Sequence, residues 1–211
     1  MDKYNDIENF LSDKKFKKCF LITGKNSYYK SGADKIFDKV LKKLNCLKYF
    51  KKNSIPEFSE LIEIIKAVDN FEPDLILAIG GGTVIDYAKS ANCLSKNILP
   101  EQIISGKISY KKKTKLCAIP TTAGSGAEVT ENAVLYLKEI KYSVEDKLIK
   151  PDFFFLIPEL IVNSGFQLKA SSGFDAIAQG VESILSIKSN EQSLKYSEKS
   201  LTFSFKNYEN Y

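Results

Sequence analysis

The nine residues DLILAIGGG, 74–82, constrain the fold more than any other stretch. A strand with one wet face alternates apolar and polar side chains. A continuous apolar run that stops at glycines reads instead as a strand covered on both faces. KKCFLITG (17–24) and KLCAIP (115–120) are of the same kind, and LKYFKK (47–52) reads as a shorter strand. The covering helices lie between them. SGADKIFDKVLKKLN (31–45) places Ile36, Phe37, Val40, Leu41 and Leu44 on one face, with lysines opposite. FSELIEIIKAVDNF (58–71) does the same with Leu61, Ile62, Ile64, Ile65 and Val68, and Ser59 is its expected N-cap. TVIDYAKSANCL (83–94) reads as a third helix. Strands alternating with crossover helices imply an α/β fold with a Rossmann-like, mainly parallel sheet.

After about residue 160 the pattern changes. SGFDAIAQGVESILS and NEQSLKYSEKSLTFSF read as consecutive helices, the second running out toward Tyr211. The expected division is an α/β unit over 1–160 and the start of an all-helical unit over 161–211. Two helices can hardly bury their own faces, so the helical unit is expected to be incomplete and to leave apolar surface exposed, with a homodimer among the partners this admits.

Composition narrows the function classes. The net charge is +5, and every basic side chain is lysine: the chain has no arginine, no histidine and no tryptophan. Base and phosphate readers use the bidentate arginine fork, so nucleic acid is not an expected partner. No apolar run approaches the roughly 20 residues of a membrane span. MDKYNDIENF carries early acids and no apolar core, unlike a secretory leader, so a cytoplasmic protein is expected. The spacing of Cys19, Cys46, Cys93 and Cys117 fits neither a metal knuckle nor a C-x-x-C pair, and they are expected to be free thiols.

Two glycine-rich segments follow strands, where ligands bind in parallel sheets. In AIGGGTVIDYAKS (78–90) the glycines let the backbone approach a phosphate, and the helix from about Thr83 points free N–H groups at it. In AIPTTAGSGAEVTENA (118–133), Thr121, Thr122, Ser125 and Thr130 offer hydroxyls while Gly124 and Gly126 open the backbone. Two such loops on one sheet suit a ligand with several anionic or hydroxyl groups, such as a dinucleotide. Neither segment is G-x-G-x-x-G or a P-loop.

Four motifs in order make the chain resemble the iron-containing (group III) alcohol dehydrogenases. They are GGGTVIDYAK, PTTAGSGAEVT, KPDFFFLIPEL (with Ile157 where the family has Asp) and GFDAIAQGVES. The resemblance implies NAD- or NADP-dependent interconversion of a small alcohol and aldehyde. It makes 1–160 a dinucleotide-binding unit and 161–211 part of a metal and substrate unit. It places Gly81, Gly82, Thr83 and Asp86 at the pyrophosphate, and Thr121, Thr122, Ser125, Thr130, Asn132 and Lys141 along the nucleotide. Gly24 stands where NAD-preferring members carry Asp, so a 2′-phosphate would meet no carboxylate and NADPH is the expected coenzyme.

The family's divalent metal, Fe or Zn, is held by an Asp, a His four residues later and two further His. Here Asp175 and Gln179 take the first two places, on one helix face with Glu182 a turn on. An amide oxygen is a harder, weaker ligand than imidazole. The pattern D-A-x-x-Q-x-x-E-S, followed by NEQSLKY and preceded far upstream by GKNSYYKSGA, resembles a subgroup similar to phosphonoacetaldehyde reductases. That likeness implies reduction of phosphonoacetaldehyde to 2-hydroxyethylphosphonate, with lysines and backbone amides serving the dianion in place of arginine. Two other readings stay open: a dehydroquinate synthase-like NAD- and metal-dependent lyase, and a non-catalytic nucleotide-binding fragment.

Overall fold

The computed structural model describes residues 3–162 and 164–207; Tyr211, where the sequence pattern runs out, lies outside them. A parallel sheet runs in the order β2 (Asn45–Lys51), β1 (Lys18–Gly24), β3 (Leu75–Gly80), β4 (Lys115–Pro120), β7 (Phe153–Phe154). The order reverses at β1. Its two neighbours are β2 and β3, so the carboxyl ends of β1 and β3 open the crevice where such sheets bind ligands.

Every residue of β3 is buried. Ile76 and Ala78 face one side, packing with Phe20, Ile22, Leu116 and Ala118 against helices α4 (Phe58–Phe71) and α5 (Gly82–Cys93). Leu75, Leu77 and Ile79 face the other, with Cys19, Leu21, Cys117 and Ile119, beneath α1 (Lys3–Asp13) and α3 (Ala33–Leu41). That two-sided cover is why the strand could be apolar throughout. Ile157, which replaces the family's Asp, is buried in this second cluster with Leu160 at the entry to α7 (Glu159–Val162). A carboxylate there would need a partner; the isoleucine packs instead.

Ser59 is not the cap of α4. The helix starts one residue earlier, at Phe58, with Glu57 as its extended N-cap. No side chain caps the first turn; the Glu57 N–H itself is anchored to another element, donating 2.8 Å to the Tyr87 hydroxyl. The pattern 31–45 is also shorter than its apolar spacing suggests. A short helix α2 (Lys25–Lys30) precedes it, Gly32 turns at φ 80°, and α3 ends at Leu41.

The antiparallel hairpin β5 (Asn132–Leu137) and β6 (Ile140–Glu145) carried no turn signal. Its tip is Lys138–Glu139, with Lys138 left-handed at φ 57°, where a glycine or asparagine would normally advertise the turn. A short helix α6 (Pro100–Ser105) also joins this side of the fold.

Beyond α7 the chain is a helical pair, α8 (Phe166–Leu185) and α9 (Glu191–Asn207). The first begins six residues before the expected start and runs through the serine pair, where the Ser171 hydroxyl is satisfied within the helix by the Leu168 carbonyl at 3.1 Å. Asn190 opens the second by a reciprocal cap: Ser193 N–H donates to Asn190 Oδ1 at 3.0 Å, and Asn190 N–H to Ser193 Oγ at 2.9 Å. Gly180 lets Leu201 close the pair. Much of its apolar surface is exposed, including Phe166, Leu185, Phe203 and Phe205. Among the described residues no helix is long and apolar enough to cross a membrane, and Cys19, Cys46, Cys93 and Cys117 are all free.

The helical pair is seated on the sheet through Gly124. A Cβ there would stand 2.2 Å from the Ser172 carbonyl oxygen, and the residue is left-handed at φ 108°. Gly124→Ala therefore combines backbone strain with a backbone clash and is expected to cost about 2–4 kcal/mol in urea unfolding. Gly106→Ala, with φ 67° but open space around it, should cost only about 1–2 kcal/mol.

Candidate functional site

The glycine run of β3 feeds directly into α5. Gly81 is its N-cap, with extended backbone and no side chain to cap it, and its carbonyl accepts from Val84 N–H at 3.0 Å. A Cβ on Gly81 would lie 3.1 Å from Thr122 Oγ1, and one on Gly82 would lie 3.5 Å from Ser125 Oγ. The two glycine segments, forty residues apart in sequence, thus form one surface. It presents an uncapped helix start, two hydroxyls and no bulk, which is what a phosphate group requires. Thr83 is turned partly away: its hydroxyl donates to the Ser54 carbonyl at 3.1 Å.

A second cluster lies along α5 toward the hairpin. Burial raises the Asp86 carboxyl to about 6, although Lys89, the Val134 N–H and Lys141 all favour its charged form. Lys89, fully buried, donates to Thr130 Oγ1 at 2.8 Å and to the Asn132 carbonyl at 2.9 Å. Burial pulls this lysine down to about 8 against the pull of Asp86 and Glu128. Asp86, Thr130, Asn132 and Lys141 therefore do gather, and the residue that gathers them is one the sequence reading passed over. Its signal was available: Lys89 follows Asp86 by one helical turn, on the buried side of the helix.

Glu60 was also missed. It is an acid within the apolar stripe of α4 and is buried. Its carboxylate accepts from Lys52 N–H at 2.5 Å, Asn53 N–H at 3.0 Å, Asn53 Nδ2 at 2.9 Å and the Tyr87 hydroxyl at 2.8 Å. This network fixes the 52–57 loop against α5, and the Ser54 carbonyl of that loop is the one that holds Thr83.

The remaining expected residues lie apart. Thr121 is buried, donates its N–H to the Gly80 carbonyl at 3.0 Å, and faces a cavity beside Ser27, Lys30 and Leu160. Gly24 ends β1; a Cβ there would be 2.7 Å from Ser27 Oγ and 3.6 Å from Lys51 Cε, with no acid among its nearest neighbours. Asp175 and Gln179 are exposed on α8, joined by a 3.1 Å hydrogen bond from Gln179 Nε2 to Asp175 Oδ2.

Among the described residues no three His, Cys, Asp or Glu side chains converge as a metal set. Asp175 and Gln179 present two oxygen ligands from one helix, of the four that a metal centre needs.

The profile of the family described as iron-containing alcohol dehydrogenase matches residues 2–158. The chain belongs to that family. An alcohol dehydrogenase of Thermococcus barophilus is 35% identical over 135 residues, which are 60% of this chain and 36% of that protein. A phosphonoacetaldehyde reductase of Streptomyces viridochromogenes is 34% identical over 139 residues, 61% of this chain and 35% of the relative. Among solved structures, an iron-containing alcohol dehydrogenase of Thermotoga maritima superposes with a TM-score of 0.84 at 27% identity, covering 98% of this chain and 57% of its own. The chain thus spans about a third of those two relatives' length and just over half of the solved one.

The raised acid makes a pH prediction. Asp86 titrates near 6 when folded and near 3.9 when unfolded. Its contribution is fully present below about pH 4 and is lost as pH rises through about 6. Thermal denaturation should show wild type falling by about 1–2 kcal/mol relative to Asp86→Asn across that window. Parallel curves would remove Asp86 from the electrostatics of the site.

Proposed function

We propose that this chain carries the dinucleotide-binding unit, residues 1–160, and the opening helices of the metal and substrate unit, residues 161–211, of an NAD(P)-dependent alcohol dehydrogenase working as an aldehyde reductase. One observation carries the reading. The uncapped start of α5 faces Thr122 and Ser125 with only glycine between them. The family match supports it over the lyase reading.

In this reading Gly81, Gly82 and the first N–H groups of α5 hold the pyrophosphate, as the helix dipole favours. The Thr122 and Ser125 hydroxyls donate to the same group. Thr83 and Asp86 flank it, and Thr130, Asn132 and Lys141 line the nucleotide, their hairpin docked on α5 by Lys89. Thr121 supports the loop from beneath. When bound, the nicotinamide supplies the hydride that reduces an aldehyde carbon, and the alkoxide takes up one proton to give the alcohol. Asp175 and Gln179 are this chain's contribution to the substrate side. A reducing, cytoplasmic setting suits its four unpaired thiols.

The coenzyme is NADPH and the substrate is phosphonoacetaldehyde, reduced to 2-hydroxyethylphosphonate. Gly24 supports the first: a 2′-phosphate at the end of β1 would meet Lys51 and no acid. The 34% identical reductase and the D-A-x-x-Q pattern around Gln179 support the second.

Titration of NADPH fluorescence tests the binding claim. Gly82→Val should weaken affinity at least about tenfold, or 1.4 kcal/mol, with the melting temperature little changed, because the side chain fills the phosphate space. Equal affinity in the variant would sink the site. Gly24→Asp should lower NADPH affinity by about tenfold and spare NADH, the added carboxylate repelling only the 2′-phosphate. Turnover of simple aldehydes with none of phosphonoacetaldehyde would refute the substrate.

A further inference from the structure

A cavity of about 190 Å³ lies where the 121–126 loop meets α8 and α9. Leu168, Lys169, Ser172 and Ala176, spaced three and four apart on α8, turn one face into it. Thr122 and Ala123 close one end, and Ser204 reaches in from α9. A void of this size exceeds the engineered cavity of about 150 Å³ that admits a benzene-sized molecule. That suits a ligand of several heavy atoms and is far too small for a dinucleotide.

The wall is apolar apart from a few hydroxyls and one charge. That charge is Lys169, half-buried and without a side-chain hydrogen bond or ion pair among the described residues. Lys89, Lys112, Lys113 and Lys115, by contrast, each have a side-chain or backbone partner. The two acids of its own helix, Asp175 and Glu182, are exposed and neither lines the cavity; Asp175 is held by Gln179. Partial burial strengthens a charge's interactions, so an ammonium without a counter-ion in a small cavity selects for an anion.

We propose that this cavity is the substrate pocket and that Lys169 binds the charged end of a small anionic aldehyde. Ser172 and Ser204 donate hydroxyl hydrogen bonds to the same group. The loop end of the cavity, at Thr122 and Ala123, adjoins the glycine surface assigned to the coenzyme, so a molecule held by Lys169 lies beside the coenzyme site. The inference rests on the dehydrogenase reading and assigns its specificity to Lys169. Asp175 and Gln179 lie on the flank of the cavity face of α8 and not in its wall.

The test uses 2-hydroxyethylphosphonate as the probe, followed by its ³¹P resonance, alongside NADPH fluorescence. Wild type should bind the probe saturably, and 1-propanol should not compete. Lys169→Met should weaken probe binding at least tenfold with NADPH affinity unchanged, and Lys169→Arg should restore most of it. Exposed Lys188→Met, on the loop after α8, should change neither. Equal probe affinity in Lys169→Met overturns the proposal, as does a wild type that binds NADPH and no phosphonate. Probe binding that depends on Lys169 without any NADPH binding would keep the anion pocket and defeat the dehydrogenase reading. Failure of both ligands would defeat both.

Discussion

The sheet is buried on both faces, and everything else follows from that. With apolar side chains filling both sides of β1, β3 and β4, no chemistry can be mounted on the strands themselves. Polar residues are pushed to the carboxyl ends, where the chain must turn and where backbone N–H groups come free. The same burial explains why glycine clusters there. At Gly80 a Cβ would meet Val84 at 2.5 Å, so the first turn of α5 can close onto β3 only because nothing projects. Thr23 shows how polar groups inside this frame are handled: its hydroxyl donates to the Ile79 carbonyl at 2.6 Å, linking the two strands at the crevice.

Burial also decides the electrostatics. Lys89 and Asp86 sit one helical turn apart, and each is shifted toward its neutral form by desolvation, while each pulls the other toward charge. Such a pair contributes little net stability, because desolvation offsets most of its attraction. Its value is geometric. Lys89 joins a helix to the start of the hairpin through two hydrogen bonds, adding to the buried Ala133, Leu135 and Val144 that already seat the ribbon in the core.

The apolar runs and their glycine stops made the parallel sheet legible, because two-sided burial writes itself as uninterrupted hydrophobicity. Helical spacing revealed α4 and α5 for the same reason. What stayed hidden depends on long-range partners. The start of α4 is fixed at Glu57, whose N–H is anchored by Tyr87 thirty residues on, so Ser59 falls inside the helix and not at its cap. The hairpin turns at Lys138 against its own conformational preference, held by the pairing of its arms. In the site, the motif positions Gly81, Gly82, Thr122 and Ser125 meet in space. Thr121 looks beneath the loop, and Asp175 with Gln179 lies apart on α8. Glu60 and Lys89 escaped notice because a charged residue in sequence reads as surface until its partners are known.

The contact at Gly124 has a mechanical meaning. It joins backbone to backbone, with no side chain between the loop and Ser172. Two backbones this close leave no room for a side chain on the loop, so the separation of loop and helix is set by peptide geometry alone. Any bulk added at Gly124 would lift α8, and with it the wall that carries Lys169 and Ser172. A residue with no side chain thus sets the width of the compartment beside it.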